Sequence, residues 1–137
     1  MDLLLNIDVD DLDRAERFYR DAFGLRRGRR FGDDGLELLG AAVPLYLLRK
    51  PAGSVPVRNA AQRRDYRRHW TPLHIDVVVD DIEAALARAC AAGATQEAPI
   101  ACHDWGWIAP LADPFGHGFC LLQFSARGYD AIADAAP

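Results

Sequence analysis

Two short apolar segments carry polar groups at regular spacing. In Leu3-Leu4-Leu5-Asn6-Ile7-Asp8-Val9 the polar residues are Asn6 and Asp8, and in Leu73-His74-Ile75-Asp76-Val77-Val78-Val79 they are His74 and Asp76. Alternate residues of an extended chain share one face, so each pair projects to the side opposite its Leu, Ile and Val neighbours. A carboxylate on such a strand must be paired, hydrogen-bonded or neutralised. Asp8 and Asp76 suit a cationic or hydroxyl-bearing group of a ligand. His74 suits a ligand contact, a general base or a metal ion. Residues 74 and 76 lie ~6.6 Å apart along a strand, a spacing that fits adjacent contacts to one ligand at least as well as one shared ion.

Other side chains offer further chemistry. Trp105 and Trp107 flank Gly106; they suit an aromatic wall against a flat or cationic ligand, or core packing in which each indole N–H needs a partner. The Cys120 thiol could act as a nucleophile with His74 as base, but no oxyanion donor or third member is evident. A small buried hydrophobe is its plainer use. His103-Asp104 has the composition of a base and its orienting carboxylate. Adjacent strand residues face opposite sides, however, and the pair reads as a loop. His117 reads as a solvated turn residue. Arg58, Arg63, Arg64, Arg67 and Arg68 crowd one stretch. Their default reading is a solvated surface, with an anion site, a lid or a dimer contact as alternatives.

The elements that must position these groups form two similar runs. Strand periodicity at 2–9 is followed by a helix at 11–23, with Asp10 or Asp11 as cap and Gly24 as stop. Strands at 26–32, 36–40 and 43–49 follow, the first two joined by Gly32-Asp33-Asp34-Gly35. A strand through Leu73–Val79, a helix at 81–92 capped by Asp80 or Asp81 and stopped by Gly93, and strands at 95–102, 106–112 and 117–125 repeat the order. Asp113-Pro114-Phe115-Gly116 joins the last two as a type I turn. Val9-Asp10-Asp11-Leu12 returns seventy positions later as Val79-Asp80-Asp81-Ile82. The reading is βαβββ, connection, βαβββ. The modules cover about residues 1–50 and 73–125 of a single domain spanning 1–137. Residues 51–72 connect them, with one helical turn near 60–68, and a short helix from Tyr129 to Pro137 lies in the tail at 126–137.

Composition narrows the function classes. With 137 residues, 50% hydrophobic, one domain with its own core is expected rather than a disordered chain. Sixteen Lys and Arg against twenty Asp and Glu give a net charge of −4, which argues against nucleic acid as a partner. No apolar stretch approaches the ~20 residues of a membrane helix. The first residues lack the basic and long apolar regions of a signal peptide. Cys90, Cys102 and Cys120 are odd in number and widely spaced. A reducing, cytoplasmic setting is therefore expected, without a disulfide framework or a zinc ribbon.

Three segments together resemble the vicinal oxygen chelate superfamily of glyoxalase I, bleomycin-resistance proteins and extradiol dioxygenases. They are NIDVDDLDRAERFYRDAFGL (6–25), HIDVVVDDIEAALARACAAGA (74–94) and LADPFGHGFCLLQF (111–124). The resemblance implies an α+β fold in which two βαβββ modules form curved mixed sheets around a cleft, and a homodimer. In metal-dependent members four side chains hold a divalent ion. The matching positions here are Leu4, Tyr46, His74 and Cys120, of which only His74 is of the usual type. A shifted set of His74, Asp76 and Asp8 is the alternative. The leading expectation is therefore a protein that holds a small organic ligand in its cleft without the usual metal quartet. Asn6, Asp8, Tyr46, His74, Asp76, Trp105, Trp107 and Cys120 would line the site, and no cofactor is assigned. The rival is a divalent-metal-dependent lyase, isomerase or dioxygenase of glyoxalase type, anchored on His74. A metal-free enzyme using Asp76 or His74 as base is the third reading.

Overall fold

The computed structural model describes residues 1–69 and 71–134. Strand β1 (Leu5–Val9) leads into helix α1 (Leu12–Phe23), and strands β2 (Arg26–Phe31), β3 (Gly35–Leu39) and β4 (Leu45–Arg49) complete the first module. The second has β5 (Ile75–Val78), α2 (Ile82–Ala92), β6 (Thr95–Gln96), β7 (Ala101–His103), β8 (Gly106–Ala112) and β9 (Gly118–Phe124). Strand order is β1-β4-β3-β2 in one sheet and β5-β9-β8-β6 in the other, with β7 also paired to β8. Each sheet is mixed: β1 with β4 and β5 with β9 run parallel, and the remaining pairs antiparallel. The α+β pair of curved, open sheets expected from the sequence is the architecture found.

Both helices begin where a carboxylate can accept from a free amide. Asp11 accepts from the Arg14 N–H at 2.9 Å and Asp81 from the Ala84 N–H at 3.0 Å, so the second aspartate of each Asp-Asp pair is the cap. Gly24 and Gly93 end them with φ of 68° and 114°. The α1 face of Leu12, Ala15, Phe18, Tyr19 and Ala22 is buried. It packs against β3, β4 and α2, over a core that includes Leu36, Leu38 and Leu47. Phe18 and Phe23 meet Phe119 of the second module edge to face, at 6.4 and 5.3 Å between ring centres. The two modules thus share one core.

Four expectations need correction. The strand at 95–102 is two pieces, β6 and β7. Pro99 falls in the gap, where it offers no amide to a ladder. No helical turn forms at 60–68; this stretch runs irregularly and is held by side chains. Of the expected tail helix only a 3₁₀ turn at Gly128–Ala131 appears, and residues 135–137 lie outside those described. The first strand begins at Leu5 rather than residue 2, and Leu3 and Leu4 are exposed. No helix among the described residues is long and apolar enough to cross a membrane.

Candidate functional site

Strand register decides which polar groups meet. On the first sheet Asn6 is opposite Tyr46, and Tyr46 opposite Glu37. On the second, Asp76 is opposite Cys120, and Cys120 opposite Pro110. Ile7, Val9, Phe119 and Leu121 on the alternate phase are buried. The two faces are therefore divided as the alternation of residue types predicts.

A cavity of about 340 Å³ opens where the modules meet. Its apolar wall includes Leu5, Ile7, Phe23, Ile75 and Phe119, and its polar groups are Asn6, Asp8, Tyr19, His69, Thr71, His74 and His117. It adjoins a smaller recess that shares His69, Thr71, Leu73, His74, Gly118 and Phe119 and continues to Arg68, Glu97, Pro110 and Cys120. A third hollow, about 500 Å³, shares Leu5, Phe23 and Ile75 with the first but has Asp76 as its only ionisable group.

The connection between the modules forms one rim of this cleft. Arg64 Nε donates to Asp8 Oδ2 at 2.6 Å, and its Nη1 donates to the Val55 carbonyl at 2.7 Å. The Tyr66 hydroxyl donates to the Lys50 carbonyl at 2.7 Å. Arg68 pairs with Glu97 at 2.5 Å, and the His69 amide donates to the Gly116 carbonyl at 3.1 Å. The crowded arginines are thus partly used inside the molecule. Arg64 in particular answers the Asp8 carboxylate that the sequence left without a partner.

Asp113 organises the turn against which this connection packs. Its Oδ2 accepts from the Tyr19 hydroxyl at 2.6 Å and meets His117 Nδ1 at 2.8 Å. Its Oδ1 accepts from the amides of Phe115 and His117, each at 2.8 Å. Burial pushes this carboxyl upward. The hydrogen bond from His117, that ring's charge and the Tyr19 hydroxyl outweigh it, and the net shift is downward. Burial, reinforced by the Asp113 charge, holds the Tyr19 phenol well above its ordinary range. The Asp113 side chain is 1% exposed and that of His117 28%. His117 is therefore no solvated turn residue: its ring is fixed on one side and borders the cavity on the other. The signal was present in Asp113-Pro114-Phe115-Gly116-His117, because a tight turn returns the fifth residue to the first.

On the open face of the second sheet, His74, Asp76 and Cys120 bring one donor atom each within 4.8 Å of one another. His74 Nδ1 lies 3.0 Å from Asp76 Oδ1. Burial, with the neighbouring Asp76 charge, pushes the Cys120 thiol up. This set replaces the alternative of His74, Asp76 and Asp8, since Asp8 is held by Arg64. The four positions matched to metal-dependent relatives do not supply a quartet. Leu4 has no donor, and the Tyr46 hydroxyl is occupied by Glu37 and Arg29, both at 2.8 Å. Imidazole, carboxylate and thiol are nonetheless a chemically sound donor trio for a divalent ion such as zinc.

The remaining candidates lie elsewhere. Glu37, buried and not singled out from the sequence, is held down to about 2 by Arg29 and Tyr46 and lies in register with Tyr46 and Asn6 on the first sheet. Trp105 stacks on His103 at 5.1 Å and meets Tyr129 at 5.4 Å, and Trp107 packs against the core. Neither indole is among the residues bordering the cavity, because Trp107 shares the inward phase of Ala109 and Leu111.

A family profile described as a glyoxalase-like domain matches residues 5–122. None of the curated proteins matches the sequence. A glyoxalase/bleomycin resistance protein/dioxygenase family enzyme from Burkholderia phytofirmans superposes at a TM-score of 0.70 with 17% identity, over 91% of this chain and 100% of that one. Lactoylglutathione lyase from Agrobacterium tumefaciens gives 0.62 and 20%, over 90% and 92%. The genomically encoded fosfomycin resistance protein of Listeria monocytogenes gives 0.67 and 16%, over 91% and 93%. At such identities the likeness is one of fold.

Proposed function

The chain belongs to the glyoxalase-like domain family, and from that premise we propose that it binds a small organic molecule in the cavity between its modules. The observation that carries this reading is the cavity itself, about 340 Å³ with an apolar wall and a rim of Asn6, His69, Thr71, His74 and His117. Such a site favours a compact ligand with an apolar body and one polar end. Asp8 is already paired, so a cationic ligand would compete with Arg64 for it. Asp76 lies outside this cavity and borders the third hollow instead. Exposed Leu3, Leu4, Leu73 and Val78 support a homodimer that covers these apolar side chains.

The test is amide NMR with a panel of neutral, basic and acidic aromatic compounds. Saturable shifts at Asn6, Gly118 and Phe119, weakened about tenfold or more in Asn6→Ala, are the expected result for one lost polar contact of ~1.4 kcal/mol. Shifts confined to Trp105 and Trp107 would refute the assignment.

A second reading rests on the convergence of His74, Asp76 and Cys120 within 4.8 Å. These residues would hold a divalent ion, which supplies Lewis-acid polarisation of a bound oxygen. Titration with zinc, nickel, cobalt, manganese and ferrous ions tests it. One ion per chain, lost in both His74→Ala and Cys120→Ser, would establish this reading. Uptake unaffected by either change would remove it.

A further inference from the structure

Asp113 and His117 form a carboxylate–imidazole pair whose place in the molecule goes beyond ligand holding. His117 Nδ1 is fixed on Asp113 Oδ2 at 2.8 Å, which sets Nδ1 as the protonated nitrogen. The opposite nitrogen, Nε2, has no hydrogen-bond partner among the described residues. The ring borders the cavity, and the carboxylate behind it is buried with all its other contacts to donors: the Tyr19 hydroxyl and the amides of Phe115 and His117. A buried anion behind an imidazole stabilises the imidazolium once a proton arrives and holds the ring in one tautomer. The turn adds rigidity. Gly116 has φ of 87°, and a Cβ there would lie 2.2 Å from the Arg67 carbonyl. The connecting segment therefore presses on the turn that carries the pair.

Resting on the cavity reading above, we propose that His117 is a general base, taking a proton from a small, largely apolar substrate that carries a weakly acidic C–H or O–H. The Nε2 lone pair forms the new N–H bond. The electron pair of the broken C–H or O–H bond stays on the substrate, and the imidazolium charge faces Asp113. Return of the proton to a different substrate atom gives an isomer, and loss of a leaving group gives an elimination product. Neither needs an oxidant or a second reactant. Tyr19 stays protonated as a donor to Asp113 and takes no part in the transfer. His69 lies edge-on to His117 at 5.2 Å but has its Nδ1 on the Arg67 carbonyl at 3.0 Å.

The probe is 5-nitrobenzisoxazole, a small flat carbon acid. When a base removes its one heterocyclic C–H proton, the C–H electron pair becomes part of the nitrile. The N–O bond then breaks and a coloured cyanonitrophenolate leaves. Turnover is followed by absorbance across pH, and binding by the Gly118 and Phe119 amide signals. The titratable groups beside His117 are Asp113 and His69, with Tyr19 behind Asp113. We expect saturable turnover in the parent. It should fall about a hundredfold in His117→Gln and His117→Asn, while the amide shifts persist. Asp113→Asn should lower turnover at every pH, because the ring is no longer held with Nδ1 protonated and Nε2 free. His103→Gln, in β7 and away from the cavity, should leave turnover unchanged. Folded His117 variants that turn over like the parent would overturn the proposal, as would amide shifts without turnover above theirs. Absence of amide shifts would instead remove the cavity reading, and this proposal with it.

Discussion

Replacing Tyr19 by phenylalanine deletes one oxygen from the contact that ties α1 to the turn before β9. The ring itself has reason to stay. It is 3% exposed and packs edge to face on Phe18 at 5.0 Å and on Phe23 at 5.6 Å, so no cavity opens. The loss is the 2.6 Å hydrogen bond to Asp113. A bond to a charged acceptor contributes about 1.5–3 kcal/mol. Asp113 keeps His117 and two amides, which places the cost near the lower end. For a chain of this length that is a fall in melting temperature of roughly 5–10 °C.

The pH dependence carries the sharper signature. Tyr19 is raised in the folded state, so its contribution is complete below the free-phenol value of ~10 and fades as pH rises through the folded value. Asp113 is lowered, so its contribution is present above ~4 and is lost as pH falls through its folded value. Tyr19→Phe should therefore abolish part of the alkaline loss while keeping most of the acid one. Calorimetry and urea unfolding between pH 3 and 11 give both numbers. An unchanged midpoint at neutral pH, with the same alkaline limb as the parent, would mean that the contact does not hold the modules together.

Two further substitutions probe the elements around the site. Gly116→Ala must either carry a strained φ or push the Arg67 carbonyl away. A loss of about 1–3 kcal/mol, with faster proteolysis between residues 58 and 69, is expected; parent-like resistance would show that this segment does not rest on the turn. Glu37→Gln removes a carboxyl held down to about 2 by Arg29 and Tyr46. The parent's stability from this group is present above the ordinary carboxyl range and fades as pH falls toward 2. The variant should therefore be destabilised at neutral pH and show a shallower acid limb, as read by urea midpoints at pH 7 and pH 3.

Periodicity made the architecture legible. Ile7 and Val9 are buried while Asn6 is exposed, and Asp11 and Asp81 cap as their places before apolar helices require. Alternation also separated Asn6 from the buried Ile7 and Val9, although the junction cavity is bordered by both phases, Leu5 to Asp8 together with His74 and Ile75. It could not supply partners from distant segments. Asp8 meets Arg64 across fifty-six positions and Tyr19 meets Asp113 across ninety-four, and no local rule links either pair. The tryptophans lie away from the cavity for a related reason. Their spacing suggested a wall, but the register of β8 turns Trp107 inward, and Trp105 precedes that strand. His117 was undervalued because a turn residue is ordinarily solvated, whereas here the Tyr19 hydroxyl and the connecting segment close over the turn.

His74 links the two readings of the site. It borders the junction cavity and also belongs to the donor trio with Asp76 and Cys120, so an ion held there would change the charge at one end of the cavity. An ionised ligand should then respond to the metal and a neutral one should respond less. His117 lies outside the trio and is oriented by Asp113 alone. Its proton transfer should therefore survive Cys120→Ser, which removes a metal donor. Measuring probe turnover in Cys120→Ser, with and without zinc, separates the alternatives. Zinc-independent turnover equal to the parent's places the chemistry at the Asp113–His117 pair. Turnover that appears only with zinc in the parent, and is lost in Cys120→Ser, places it at the trio.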